Sequence, residues 1–280
     1  RIITHDGREY LSDFVPVKST PDIDSISWKY NEEGVQLYVH THDDANNPRY
    51  YRWDYEETWE FHSAYHNSIQ YVYNTAPNSP VLVDYKYPDH HDDTLIYKCW
   101  KTIGSSSIQI GSSENLSSNL IYQPIHFIEQ GSEKLSVLYS MNLHQYSVSH
   151  DAYLFYQKMK KNTEQVGTLF DAQPSLVTGN IKCITDATEQ VIGYVEVSQE
   201  QSLRMFISKS QLPGWNYDAG CFTVQIDNQS DSIAKYGSGL LPTLPASEDP
   251  FGGIISFYAS APVCVDCTLT HTNQRPAFWP

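Results

Sequence analysis

The sequence predicts a mainly β protein, an antiparallel β-sandwich with one inserted α-helix and a loop-rich, β-containing C-terminal part. Over residues 50–61 aromatic side chains stand at Tyr51, Trp53, Tyr55, Trp59 and Phe61, every second position except Glu57, with Arg52, Asp54, Glu56 and Glu60 between them. This period of two marks a strand with one packed face and one wet face. Aromatics make up 13% of the 280 residues, with 21 tyrosines, which favours pleated surfaces over helical bundles. Gly- and Pro-rich joints separate short apolar runs along most of the chain. The aromatic face of residues 51–61 is assigned to the core, because five such side chains exposed together would form an aggregation-prone patch.

In order along the chain, residues 1–10 read as a hairpin with its turn at Asp6-Gly7. No earlier strands are present to pair with it, so the chain is expected to begin inside a preceding domain. Pro16 and the Ser19-Thr20-Pro21 break lead to strands over 23–30 and 34–41, where Val35, Leu37 and Val39 alternate with Gln36, Tyr38 and His40. With the aromatic strand these form the first sheet of a sandwich of the immunoglobulin or fibronectin type III kind. A polar, proline-punctuated excursion over 74–93 precedes strands at 95–103, 107–110 and 134–145. The pattern then changes. Ser149 suits an N-cap, Asp151 the first turn, Ala152, Tyr156 and Met159 fall at helical spacing, three lysines follow and Gly167 closes, which predicts a helix near 150–166. Short strands are expected at 179–184, 191–198, 204–208 and 221–227. The last forty residues, rich in Gly and Pro, read as loops ordered by Phe257, Tyr258, Phe278 and Trp279.

A net charge of -15 argues against nucleic-acid phosphates or an anionic membrane surface as the main partner. No run reaches the roughly 20 apolar residues that span a bilayer. The five cysteines are an odd set that fixes no disulfide framework. Cys264-Val265-Asp266-Cys267 has CxxC spacing but lacks a second pair for zinc. Buried thiols, or one structural disulfide drawn from Cys183, Cys264 and Cys267, are the readings it leaves.

No catalytic residue is assigned. GxSxG is absent, and Glu56 and Glu60, about 13 Å apart along a strand, are too distant for a two-carboxylate glycosidase mechanism within it. His62 and His66 have helical spacing, but His62 ends a strand. The clusters His42-Asp43-Asp44 and Asp89-His90-His91-Asp92-Asp93 have oxygen and imidazole donors for a divalent ion, calcium in the first loop being the one considered. Neither has EF-hand or HExxH spacing, so solvated polar loops are the better reading, and no cofactor is expected. For binding, Trp215 and Tyr217 stand in the turn-rich segment Pro213-Gly214-Trp215-Asn216-Tyr217-Asp218, suited to sugar stacking or protein contact, with a Trp215 folded back onto the sandwich as the alternative.

Tyr50-Tyr51-Arg52-Trp53, Cys99-Trp100, Gly179-Asn180-Ile181-Lys182-Cys183, Val191-Ile192-Gly193-Tyr194, the CxxC and the closing Pro276-Ala277-Phe278-Trp279 together resemble the Bacteroidetes outer-membrane lipoprotein family catalogued as domain of unknown function 4249. The resemblance implies a lipid-anchored outer-membrane protein, facing the cell surface or, as the alternative, the periplasm, that accompanies a TonB-dependent transporter and other envelope lipoproteins without enzymatic activity. It makes residues 1–20 the end of a truncated N-terminal immunoglobulin-like domain and 21–280 the family core. The membrane anchor would be an N-terminal lipid that this chain does not carry. The rival reading is an envelope glycan-binding protein or a hydrolase using dispersed carboxylates.

Asp24-Ser25-Ile26, Asp93-Thr94-Leu95 and Asp231-Ser232-Ile233 match an Asp-Ser/Thr-apolar pattern for O-glycosylation. The expected outcome is an intact mass above that of the bare polypeptide in material from the native host; equal masses reject it.

Overall fold

The structure is a computed structural model, which describes residues 1–43, 50–73, 80–116, 119–164 and 177–280. Strand accounts for 44% and helix for 14%, arranged in several mostly antiparallel sheets. The largest has the order Gln109–Ser112, Tyr50–His62, Leu138–Ser147, Glu200–Ser208, with Lys98–Gly104 also paired to Tyr50–His62. A second joins Ile121–Glu129, Gly34–Thr41 and Ile23–Asn31, and a third joins Ile2–Ile3, Glu9–Ser12 and Ile181–Cys183. Among the described residues no helix is long and apolar enough to cross a membrane.

Two compact units divide the chain, the first made of Arg1–Glu57, Ile103–Ile128 and Met141–Met205, the second of Thr58–Thr102, Glu129–Ser140 and Phe206–Pro280. In the first, the Ile23–Asn31 and Gly34–Thr41 strands follow from their alternation. Asn31 builds the turn between them, its Oδ1 accepting from the amides of Glu33 and Gly34 at 3.0 and 3.1 Å. Val35, Leu37 and Val39 are fully buried, as are Tyr51 and Trp53, and Tyr55 is buried, so the aromatic face belongs to the core. Buried Gln145 links these strands: its Oε1 accepts from Trp53 Nε1 at 2.8 Å, and its Nε2 donates to Thr41 Oγ1 and Pro21 O at 3.0 and 2.8 Å. The helix is His150–Glu164, capped as expected by Ser149, whose Oγ accepts from Ala152 N at 3.1 Å. It buries Ala152 and Phe155. Gly167, expected to close it, lies outside the described residues.

The hairpin of the first residues has a partner within the chain. Glu9–Ser12 pairs with Ile181–Cys183 as well as with Ile2–Ile3. The wet face of the aromatic strand is only partly wet: Glu56 is exposed but Glu60 is buried.

The second unit differs most from expectation. Within the presumed excursion over 74–93, Pro80–Tyr85 pairs with Ile69–Tyr73, and Ile69 and Val83 join Ile226, Ile233, Phe257 and Ala259 in one apolar cluster. The strand expected from residue 134 begins at Leu138, because Ser132 caps a 3-10 turn at Glu133–Leu135. The strand expected at 221–227 is present as Val224–Asp227, and the loop-rich but β-containing last forty residues supply its two partners, in the sheet order Val224–Asp227, Ile254–Ser260, Leu241–Glu248; Ser230–Tyr236, before them, is helical. Pro242 and Pro245 made Leu241–Glu248 read as loop. It lies at the sheet edge, where a missing N–H is tolerated, and its pairing is interrupted by register shifts. The single helix expected thus becomes three among the described residues.

The cysteines form two disulfides, Cys99–Cys267 and Cys221–Cys264, and Cys183 is a buried free thiol. Of the two readings left open for Cys183, Cys264 and Cys267, the buried thiol holds for Cys183, while a single bridge among the three is corrected: each CxxC cysteine bonds a distant partner, a pairing that sequence spacing does not encode. Closing loops of 168 and 43 residues restricts the unfolded chain, by roughly 5 and 4 kcal/mol respectively in the chain-entropy account.

Glu60 shows how a carboxylate is accommodated inside this unit. It accepts from His62 Nε2 at 2.8 Å, Lys98 Nζ at 2.9 Å and Trp279 Nε1 at 3.0 Å. Burial alone pushes its carboxyl up, but the bonds from His62, Lys98 and Trp279 prevail and hold it at about 2. With the folded value below the ordinary 4.5, the contribution is complete above that pH and is lost as the pH falls toward 2. Glu60→Gln is therefore expected to lower stability at neutral pH by roughly 3 kcal/mol and to flatten the acid limb between those values, read by denaturant unfolding across pH.

Candidate cleft around the helix start

In the first unit two short motifs converge on the start of the helix. Gly179 and Gly193 pack backbone to backbone, so closely that a Cβ on Gly179 would lie 1.5 Å from the Gly193 carbonyl oxygen. Residues 191–196, expected to be strand, are not. Their place is held by Asn180, whose Nδ2 donates to Val195 O and whose Oδ1 accepts from Val195 N, both at 2.8 Å. One side-chain amide thereby substitutes for a neighbouring peptide group. Asn180 O also accepts from Asp13 N at 3.2 Å, extending the Glu9–Ser12 pairing into the next segment.

Together these segments and the first helical turns line a cleft of about 550 Å³. Its floor is polar and already satisfied. Glu196 accepts from Ser149 N at 2.6 Å and from Ser149 Oγ at 3.2 Å, so the positive end of the helix is met by the protein's own carboxylate. Ser149 Oγ serves at once as cap and as donor to Glu196, with the Tyr194 hydroxyl 3.4 Å away, and has no imidazole among these contacts to make it a nucleophile. Tyr194 packs on Phe155, ring centroids 5.4 Å apart; burial pushes its hydroxyl pKa up, the Ser149 bond opposes this, and Glu196, Asp151 and Asp13 add to the rise. At the mouth, Lys182 stands 4.0 Å from Asp13 and Phe14 is fully exposed.

Beside the cleft lies a sheet face on which exposed apolar and charged side chains mix. The registers Ile3↔Glu9 and Leu11↔Lys182 put Ile3, Glu9, Leu11, Lys182 and Ile184 on one side of the three-stranded sheet. There Ile3, Leu11 and Ile184 are 58%, 46% and 54% exposed.

Other residues singled out in the sequence are placed differently. Trp215 is 1% exposed and donates from Nε1 to Ser132 O at 3.2 Å, so it is folded inward and is not an exposed binding residue. Tyr217 is half-buried, edge-on to Phe61 at 6.2 Å, and burial, with Glu133 and Asp218, raises its pKa. His42 pairs with Asp24 at 2.7 Å, while Asp44 lies outside the described residues. In the second cluster Asp89 pairs with His91, Asp92 with His66 and Asp93 with Lys86. Among the described residues no three His, Cys, Asp or Glu side chains are grouped to hold a metal ion.

A further cluster was missed. Tyr55 OH lies 2.8 Å from His126 Nδ1, and His126 Nε2 lies 2.8 Å from Glu57 Oε1, at an angle too oblique for a hydrogen bond but at ion-pair distance. Burial, reinforced by Glu57, pushes Tyr55 up to about 12. The signal was present: Glu57 is the one break in the aromatic alternation. Its partner, however, sits on Ile121–Glu129, a strand not foreseen.

The family model described as Domain of unknown function (DUF4249) matches residues 1–204. That range includes both glycine motifs and the cleft, and stops short of the CxxC and the terminal Pro276-Ala277-Phe278-Trp279, which the resemblance had drawn in. Neither the curated proteins nor the solved structures give a match.

Gly179→Ala is expected to cost about 2 to 3 kcal/mol, as overpacking against backbone does. Asn180→Ala should cost roughly 2 kcal/mol for the two stranded Val195 groups. Hydrogen exchange would report loss of protection at Val195 in either variant before global unfolding.

Proposed function

The chain belongs to the DUF4249 family, and on that premise we propose that it is a non-enzymatic outer-membrane lipoprotein, an accessory binding or assembly subunit of a TonB-dependent transporter complex. The observation that carries this reading is the exposure of Ile3, Leu11 and Ile184 on one sheet face, among Glu9 and Lys182, beside a cleft with an exposed Phe14, all within the family-matched residues. Apolar groups gathered at one exposed surface favour a macromolecular contact. The setting and the partner come from the family resemblance, and the two disulfides agree with an oxidising compartment outside the cytoplasm. The immunoglobulin-like sandwich is proposed for the first unit, supported by the Trp53–Gln145–Thr41 link between strands of two sheets. Glycan capture through Trp215 loses its support, since that indole is buried.

Purification from native membranes in mild detergent is expected to bring down an outer-membrane barrel protein in near-stoichiometric amount. Leu11→Glu should reduce its recovery roughly tenfold with unfolding unchanged. Consistent absence of any barrel protein overturns the reading.

A further inference from the structure

In the second unit the hairpin of Leu241–Glu248 and Ile254–Ser260 ends in a tip that holds a phenylalanine in solvent. Phe251 is 97% exposed. The tip is firmly built: Asp249 Oδ1 accepts from Phe251 N at 2.7 Å and from Gly253 N at 2.9 Å, Gly252 N donates to Asp249 O at 3.0 Å, and Asp249 N donates to Gly253 O at 2.8 Å. Glycine is required at two places. Gly252 has φ +85°, and a Cβ on Gly253 would come within 2.6 Å of the Asp249 carboxylate that organises the turn. At the base, Glu248 accepts from Tyr85 OH at 2.6 Å, and the Tyr85 ring stacks on His90 at 3.5 Å, which braces the tip from its side.

A loop with this many internal bonds loses little conformational entropy on binding, and a rigid aromatic side chain loses little more. We propose that the tip is a docking knob, in which Phe251 enters an apolar pocket of a partner protein whose rim carries Lys or Arg. Charge selects the occupant. Glu248 and Asp249 flank the ring and the chain carries a net charge of -15, so an anionic lipid surface repels the tip, whereas a basic-rimmed protein pocket attracts the carboxylates and accepts the ring. An aromatic anchor in a desolvated pocket within a charged rim is the usual form of an interface hot spot. The inference rests on the reading of this chain as a transporter-complex subunit, and it names a contact outside the family-matched residues: the partner is the co-purifying barrel protein.

The experiment places photoreactive benzoylphenylalanine at position 251 in the native envelope and, separately, compares Phe251→Ser and Phe251→Trp by recovery of the barrel protein. Expected are a light-dependent adduct with the combined mass of the chain and the barrel, recovery reduced roughly tenfold or more by Phe251→Ser, and recovery retained by Phe251→Trp. Thermal unfolding should be unchanged, since the ring has little to lose in the free protein. An adduct only with lipid, an adduct only with a second copy of this chain, or undiminished recovery with Phe251→Ser overturns the inference and leaves the functional reading intact. Absence of a barrel protein with the unaltered chain overturns both.

Discussion

Two carboxylates lie buried in an otherwise aromatic strand, and the neighbours of that strand must provide for them. Removing a charge from water costs several kcal/mol unless a partner compensates it. Glu57 therefore requires His126 beside it, and Glu60 requires His62, Lys98 and Trp279. An all-aromatic face would pack in several registers with similar energy. A strand slipped by one residue would carry both carboxylates away from these partners, so the polar requirement fixes what apolar burial leaves loose. His126 comes from Ile121–Glu129 and Trp279 from the penultimate position of the chain, so the two glutamates tie distant sequence to one element.

Irregular segments are held by a different means. Where residues 191–196 form no strand, the Asn180 amide supplies a donor and an acceptor to Val195, and paired glycines remove the side chains that would separate the backbones. Asp249 does the same for the hairpin tip, its carboxylate standing in for backbone partners. In the second unit the disulfides add covalent closure around Cys264 and Cys267, consecutive turns with little regular structure of their own. Polar side chains in these places serve the backbone.

That division bears on function. At the cleft, Ser149 and Glu196 are engaged with each other and with the helix, while apolar groups, Phe14 foremost, are left in solvent. Those exposed apolar groups are what supports the proposed reading as a binding subunit.

By itself the sequence determined what local periodicity encodes: the mainly β character, the strands at Ile23–Asn31, Gly34–Thr41 and Tyr50–His62, the Ser149-capped helix and the inward aromatic face. These depend on neighbours two to four residues away. It also held the clue of Glu57, the break in alternation, without its meaning. Only the tertiary structure decided the partners of Glu57 and Glu60, the Cys99–Cys267 and Cys221–Cys264 bridges, the inward turn of Trp215 and the edge strand containing Pro242 and Pro245. In each case the deciding contact joins residues far apart in the chain, and a charge, thiol or proline is judged by what packs against it, which no local pattern specifies.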